Sequence, residues 1–261
     1  MKVIVVYSGK GGSGKTPICR ELAYRFARAG KRVLVLDLSV QYQTTTGLGA
    51  LPSNKLYDFV VAKAGVDACE FIEHTRINGL DILTSGNMAG DAHRIAFATQ
   101  KPRNFLASTL SKMADYDLVV IDTDQGGLFA DMAVAAADMI VSPIFMTGVQ
   151  LDALMLTPGY VKEVRDSVGR EYPATVAIPI MNRSKRKEGF LVDLTEAVAN
   201  SAEVDGSPLA AWTVCAPIAE TAQMDSATSN GKTLAEYRPK HKTSIAIDAL
   251  AADIIDLFAS E

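Results

Sequence analysis

A chain of 261 residues is long enough for one large domain or two small ones, and with 48% hydrophobic residues it can bury a sizeable core, which excludes a disordered or low-complexity protein. Its formal charge of −4, from 26 basic and 30 acidic side chains, excludes a global basic field, so a polyanion could be held only by a local patch. Cys19, Cys69 and Cys215 are odd in number and far apart, without the spacing of a zinc site or redox pair, and read as small core residues in a reducing compartment.

The first element is an apolar strand run, Val3–Tyr7, too short for a signal peptide and leading directly into a glycine loop. A helix follows, with Leu22, Phe26 and Ala29 on one side of Arg20–Ala29. Further strand runs lie at Val33–Leu36, Leu80–Leu83, Leu118–Ile121, Met139–Ser142, Thr175–Met181 and Ala211–Val214. They are apolar throughout rather than alternating, the pattern of a parallel sheet covered on both faces. The segment Ala50–Asn78 is the least regular, with a helix expected around Leu56–Ala64 behind Pro52-Ser53-Asn54. Helical spacing returns in Leu106, Leu110 and Met113, and a helix is expected to begin near Leu128. It recurs in Leu151, Leu154, Met155, Val161 and Val164, where Pro158-Gly159 is placed to kink or divide the helix, and in Ile247, Leu250, Ile254 and Leu257. The alternation predicts an α/β fold, a single doubly wound, mostly parallel sheet with helices on both faces, in one domain over residues 1–261. The most apolar stretch, Met132–Met146, is interrupted by Asp138 and Pro143, so no membrane span is expected and the protein is placed in the cytoplasm.

Strand, loop and helix meet at Ser8-Gly9-Lys10-Gly11-Gly12-Ser13-Gly14-Lys15-Thr16, which fits GxxxxGK[ST] with the required strand before it and helix after it. Glycines let successive N–H groups curl round phosphates, and the helix N-terminus adds its positive end. Gly11, Gly12, Ser13 and Gly14 are the expected cradle, Lys15 the cation on the β- and γ-phosphates of ATP, and Thr16 a hydroxyl ligand for Mg²⁺. Pro17 falls in the first helical turn, which tolerates its missing N–H.

Lys10, five positions before Lys15, is not required by an ordinary phosphate loop. The run Lys10-Gly11-Gly12-Ser13-Gly14-Lys15-Thr16 resembles the deviant Walker A motif of the ParA/MinD family of P-loop ATPases. The resemblance implies that Lys10 reaches across a nucleotide-sandwich dimer to the partner's ATP. Val33-Leu34-Val35-Leu36-Asp37-Leu38-Ser39-Val40-Gln41 resembles the family's switch I, and the following Thr44-Thr45-Thr46-Gly47-Leu48-Gly49 also resembles ParA sequences. Leu118-Val119-Val120-Ile121-Asp122 resembles its Walker B strand, which makes Asp37 and Asp122 expected participants at Mg²⁺. An acid at the end of a buried strand faces the crevice where α/β sheets bind ligands, although a strand-capping Asp122 reads from the same residues. Ala216-Pro217-Ile218 and Asn230–Tyr237 resemble the family's C-terminal region, and the resemblance makes Asn182 and Pro217 candidate contacts for the base.

Three positions depart from the family pattern. Ser39 stands where switch I has its second Asp, which orients the attacking water; Val40 replaces the Pro after it; and Asp124-Gln125 replace Pro-Pro after Walker B. Slow hydrolysis is therefore expected, with Asp124 as a surrogate that orients the water or, alternatively, as a cap of the next helix. On this reading Ser39→Asp should speed cleavage and Asp124→Ala should abolish most of it. The acidic amphipathic tail, Ala251–Glu261, differs from the basic membrane helix of the MinD branch, so no membrane partner is expected.

What the resemblance implies is an ATP-dependent homodimer that binds nonspecific DNA at the nucleoid and is released by hydrolysis. That hydrolysis would be stimulated by a ParB-like centromere-binding or other adaptor, in plasmid or chromosome partition. The alternatives are a hydrolysis-impaired scaffold or cargo-positioning protein of the same fold, and a metabolic P-loop ligase. The expected DNA patch centres on Arg183, Lys185, Arg186 and Lys187, within a stretch from Lys162 to Glu188 that carries seven basic residues against four acids. Arg238, Lys240 and Lys242 stand ahead of the last helix.

Overall fold

The structure is a computed structural model that describes residues 1–62, 66–113, 115–146, 151–181, 188–202, 204 and 206–259. The chain runs β1 (Lys2–Val6), α1 (Lys15–Arg28), β2 (Val33–Asp37), α2 (Gln43–Gly47), α3 (Lys55–Val61), β3 (Glu73–His74), β4 (Leu80–Leu83), α4 (Ala89–Ala98), α5 (Phe105–Leu110) and β5 (Leu118–Asp122). It continues with α6 (Leu128–Ala136), β6 (Met139–Phe145), α7 (Leu151–Ser167), β7 (Ala174–Met181), α8 (Glu188–Ala202), β8 (Trp212–Val214), β9 (Ile218–Ala219), α9 (Gln223–Ser229), α10 (Leu234–Tyr237) and α11 (Lys242–Ala259).

The strands form one sheet in the order β3-β4-β2-β5-β1-β6-β7-β8, with β9 also on β7. Every pair is parallel except β3 with β4 at the edge. The central strands are buried along their whole length, which is why they read as unbroken apolar runs. Alternate residues feed two cores. Val3, Val5, Tyr7, Leu34 and Leu36 pack with α3 to α7, whereas Ile4, Val6, Val33 and Val35 pack with α1 and α11. The fold class expected from the sequence is the one observed.

Two local expectations need correction. Helix α7 is a single helix through Pro158. Cys19 is buried, but Cys69 is exposed and Cys215 only half-buried, so two of the three thiols are not core residues. In the segment before β4, α3 stands at the helix expected around Leu56–Ala64, and among the described residues it is followed by a 3-10 turn at Ala68–Phe71 and the two-residue edge strand. Helix α4 has no counterpart in the sequence reading because it buries Ala89, Ala92 and Ala96, residues too small to mark an apolar stripe clearly.

The polar face of α1 fixes the C-terminal third. Arg25 donates to Glu21, to Asp248 Oδ1 at 2.6 Å and to Ser244 Oγ at 2.9 Å, while Glu21 Oε1 accepts from the backbone N–H of Leu234. Buried charges cost folding free energy unless paired, and here each is paired. Beside them Ile247, Leu250, Ala251 and Ile254 of α11 pack in the core that holds Leu22 and Phe26, so the apolar stripe of the last helix faces inward as far as Ile254, whereas Leu257, expected in the same stripe, is exposed.

Candidate functional site

The glycine loop occupies the C-terminal end of β1, in the middle of the sheet. Gly12 and Gly14 have φ of 70° and 89°, a left-handed conformation in which a side chain would be strained. Gly14 is the N-cap of α1 and offers no side-chain cap, so the first N–H groups of the helix are left for an anion. The first intrahelical bond here runs from Ile18 N–H to the carbonyl of Gly14 at 3.1 Å, so Pro17 sits where no donor is needed. Gly9 N–H donates to Thr157 Oγ1 at 3.1 Å, which ties the loop to α7. Lys15 Nζ turns back onto the carbonyl of Lys10 at 3.2 Å. Burial lowers the pKa of Lys15, while the charges of Asp122 and Asp124 act the other way.

Asp37 and Asp122 end neighbouring strands and stand directly side by side in the register. Both are fully buried. Asp37 Oδ2 accepts from Thr45 N–H at 2.8 Å and Thr45 Oγ1 at 2.7 Å, and Oδ1 accepts from Ser39 N–H at 3.2 Å. Asp122 Oδ2 accepts from Thr44 Oγ1 at 2.6 Å, but Oδ1 has no hydrogen-bond partner. Burial raises both carboxyls, Asp37 to about 7, with the charge of Asp122 adding to its shift and the bonds from Thr45 and Ser39 opposing it. For Asp122 the hydroxyls of Thr44 and Thr16 and the charges of Lys15 and Arg20 oppose the effect of burial. A buried carboxylate oxygen without a donor, near a threonine hydroxyl, is an oxygen set that suits a hard divalent cation such as Mg²⁺. Thr16 lines the cleft; Asp37 and Asp122 stand behind it.

Ser39 and Asp124 both line the cleft. The Ser39 hydroxyl donates to Asp124 Oδ1 at 3.2 Å, and Val40 N–H donates to Asp124 Oδ2 at 3.3 Å. Asp124 does not cap the next helix: the N-cap of α6 is Gly127, with no side-chain bond. That removes the capping alternative and leaves Asp124 at the cleft wall. Gln125 follows, its carbonyl accepting from Tyr7 Oη at 3.0 Å and its amide standing against Gly11, where an added Cβ would lie 3.2 Å from Gln125 Oε1.

The cleft encloses about 510 Å³ and is lined by the loop and by the apolar side chains of Phe145, Ile180, Ile218 and Met224, with Glu220 and Asp225 among them. Phosphates at a glycine cradle and an apolar slot with a few polar groups at the far end are the two halves of a nucleotide site. Pro217 is exposed and precedes this wall, which begins at Ile218. Asn182, Arg183, Lys185, Arg186 and Lys187 lie outside the described residues. Within the stretch expected to be basic, Arg165 is buried and donates to the carbonyls of Ala135, Ala137 and Glu171, so it does not contribute to a surface patch. Arg170 donates to Ala135 as well, and Lys162 pairs with Asp166, whereas Arg238, Lys240 and Lys242 are exposed. The sequence reading gave no role to Thr44, Thr45, Thr157 or Gln125. The hydroxyl run after switch I was a visible signal for the first two; nothing local marks Thr157, which acts across 148 positions.

A family model described as an AAA domain matches residues 1–171. The chain is 28% identical, over 98% of its length, to an uncharacterized protein of Mycobacterium tuberculosis, 79% of which is covered. It is 27% identical, over 97% of its length, to the chromosome-partitioning ATPase Soj of Thermus thermophilus, covering 94% of that protein. The fold is similar to that of the cell division ATPase MinD of Pyrococcus furiosus, with a TM-score of 0.75 at 20% identity over 98% of this chain and 99% of that one.

Proposed function

The chain belongs to the ParA/MinD-type P-loop ATPases, and we propose that it is an ATP-dependent switch that pairs with a second copy around two Mg·ATP. In that state it would bind DNA without sequence preference, and it would let go after hydrolysis stimulated by a ParB-like or other adaptor. Partition is the task that the Soj relative's name favours, with the positioning of another cargo as the alternative use of the same switch. The observation that carries this reading is the glycine loop at the head of α1, with Lys10 and Lys15 joined across it.

The roles follow from position. The N–H groups from Gly11 to Thr16 would cradle the phosphates, and Lys15 would leave the Lys10 carbonyl for the β- and γ-phosphates. Thr16 and Asp122 would hold Mg²⁺, which neutralises charge developing on the phosphates. Asp37, with both oxygens occupied by Thr45 and Ser39, would hold switch I rather than the cation. Asp124 would orient the attacking water, while the Ser39 hydroxyl fixes Asp124. Because Ser39 Oγ and Val40 N–H occupy both oxygens of Asp124, cleavage would be slow until that contact loosens. The same contact favours a second reading, an ATP-bound clamp with little turnover.

Among the described residues no helix is long and apolar enough to cross a membrane, and a nucleoid-associated cytoplasmic location goes with the DNA-binding reading. Mass in solution with ATP and with ADP, together with ATP turnover with and without nonspecific DNA, tests the proposal. The expected result is an ATP-dependent dimer whose DNA affinity falls steeply with salt. Lys10→Ala should bind ATP and stay monomeric; a Lys10→Ala protein that dimerises like the unmodified chain would remove the sandwich arrangement from the reading.

A further inference from the structure

Arg20 lies five residues into the helix that begins at Lys15, and it is only 2% exposed. Its guanidinium spans two elements that do not otherwise share a polar bond among those described. On one side Nη1 donates to the carbonyl of Gln43, the first residue of α2, at 3.4 Å. On the other Nη2 donates to Thr228 Oγ1 of α9 at 2.7 Å. Nε is buried without a hydrogen-bond partner. The fit on α2 is close enough that a Cβ on Gly47 would collide with the Arg20 guanidinium. An arginine is costly to bury, and its planar fork of donors is the group suited to join two elements at once.

What lies at the two ends gives the bridge its meaning. The next residue in α2 is Thr44, which holds Asp122, and then Thr45, which holds Asp37. The first turn of α9 carries Met224 and Asp225, both of which line the cleft. Thr228 itself donates back to the carbonyl of Met224 at 2.8 Å, so the arginine's partner is bonded to a cleft residue.

We propose that Arg20 is a positioning residue that couples the cleft wall facing the nucleoside to the switch helix over the two carboxylates. The inference rests on the nucleotide reading above. A nucleoside seated against Met224 and Asp225 holds α9; α9 holds Arg20 through Thr228; Arg20 holds the start of α2, and with it the hydroxyls on Asp122 and Asp37. Occupancy of the phosphate loop alone does not engage this route.

Hydrogen exchange at the amides of residues 44–47 reads the coupling without requiring hydrolysis, dimerisation or DNA. ADP and inorganic pyrophosphate are the two probes, since both load the glycine loop and only ADP reaches α9. In the unmodified chain ADP should slow exchange in α2 about 10-fold more than pyrophosphate does, within the usual range of coupling between sites. In Arg20→Met and in Thr228→Val that difference should shrink to below about twofold while ADP still binds by calorimetry. Thr228→Ser, which keeps the hydroxyl, should retain the difference, a result that a merely structural role would not produce. Equal protection by ADP and pyrophosphate in the unmodified chain, or an undiminished difference in both Arg20→Met and Thr228→Val, would overturn the inference and leave the nucleotide reading standing. Failure of ADP to bind at all would overturn both.

Discussion

Between Gly9 and Lys15 the cleft wall is main chain, shaped by two left-handed glycines and finished by a helix N-terminus. Between Ser39 and Gly47 the neighbouring wall is side-chain work: Thr44 and Thr45 bond the buried carboxylates, Ser39 bonds Asp124, and Arg20 backs the helix. The Thr157 hydroxyl on Gly9 ties the first wall to α7. The second is held by contacts with Asp37 of β2, Asp122 of β5, Asp124 in the loop after it, Ser85 and Arg20 of α1. On the function proposed above, one wall would be a fixed receptor for phosphate and the other a set of replaceable hydrogen bonds, as a part that changes state must be.

Substitutions can break this contrast, starting with the largest effect. Asp124→Ala should lower single-turnover ATP cleavage by about 100-fold or more, the usual loss when a positioned acid or base is removed. If cleavage persists at the unmodified rate, the switch wall does not orient the water. The same geometry reverses the expectation for Ser39→Asp. The Ser39 hydroxyl stands 3.2 Å from Asp124 Oδ1, so an aspartate there would set two carboxylates together and displace Asp124, slowing cleavage. A faster Ser39→Asp enzyme would show that the pair is not maintained during turnover. On the phosphate wall, Lys15→Ala should weaken ATP binding by about 10- to 100-fold, the worth of a charge-assisted bond of about 1.5–3 kcal/mol, with melting temperature little changed; calorimetric titration measures it.

Thr44→Val sharpens the contrast further. It removes the Thr44 hydroxyl from the buried Asp122 carboxylate in the nucleotide-free protein, at a cost of about 1–3 kcal/mol in urea unfolding. Mg·ATP should restore part of that loss, whereas a substitution on the phosphate wall should not be rescued. The smallest effect is a pH dependence. Because the Asp37 carboxyl is raised to about 7 in the folded chain, it binds its proton more tightly there than when unfolded. That stability is present at low pH and is lost as pH rises through about 7, so the nucleotide-free melting temperature should fall between about pH 5 and about pH 8. Asp37→Asn should flatten the fall, and an unchanged slope would remove Asp37 as its source.

The same contrast explains what was legible beforehand. Strands β1, β2, β5 and β6 announced themselves because burial on both faces leaves only apolar side chains to read. The glycine loop was legible because its geometry is local, contained in consecutive residues. Helix α4 was not, since alanines carry its buried face, nor was the continuation of α7 through Pro158. In the cleft, Ser39 and Asp124 were each visible as oddities, but their mutual bond joins positions 85 apart and no spacing rule foretells it. Arg165 was counted as surface charge because its role depends on the carbonyls at the end of α6, which only the fold brings within reach.

The buried polar face of α1 has a consequence for where this protein can be cut. The segment that carries the family's recognisable pattern ends at residue 171, yet Arg25 within it needs Ser244 and Asp248, and Glu21 is met by the backbone of Leu234. A fragment stopped at that boundary would keep the whole phosphate loop and lose the partners of two interior charges, together with the apolar cover that α11 gives Leu22 and Phe26. The span over which kinship can be recognised and the span that can be inherited as an autonomous module are thus different lengths in this chain, and grafting or recombination would have to respect the longer one.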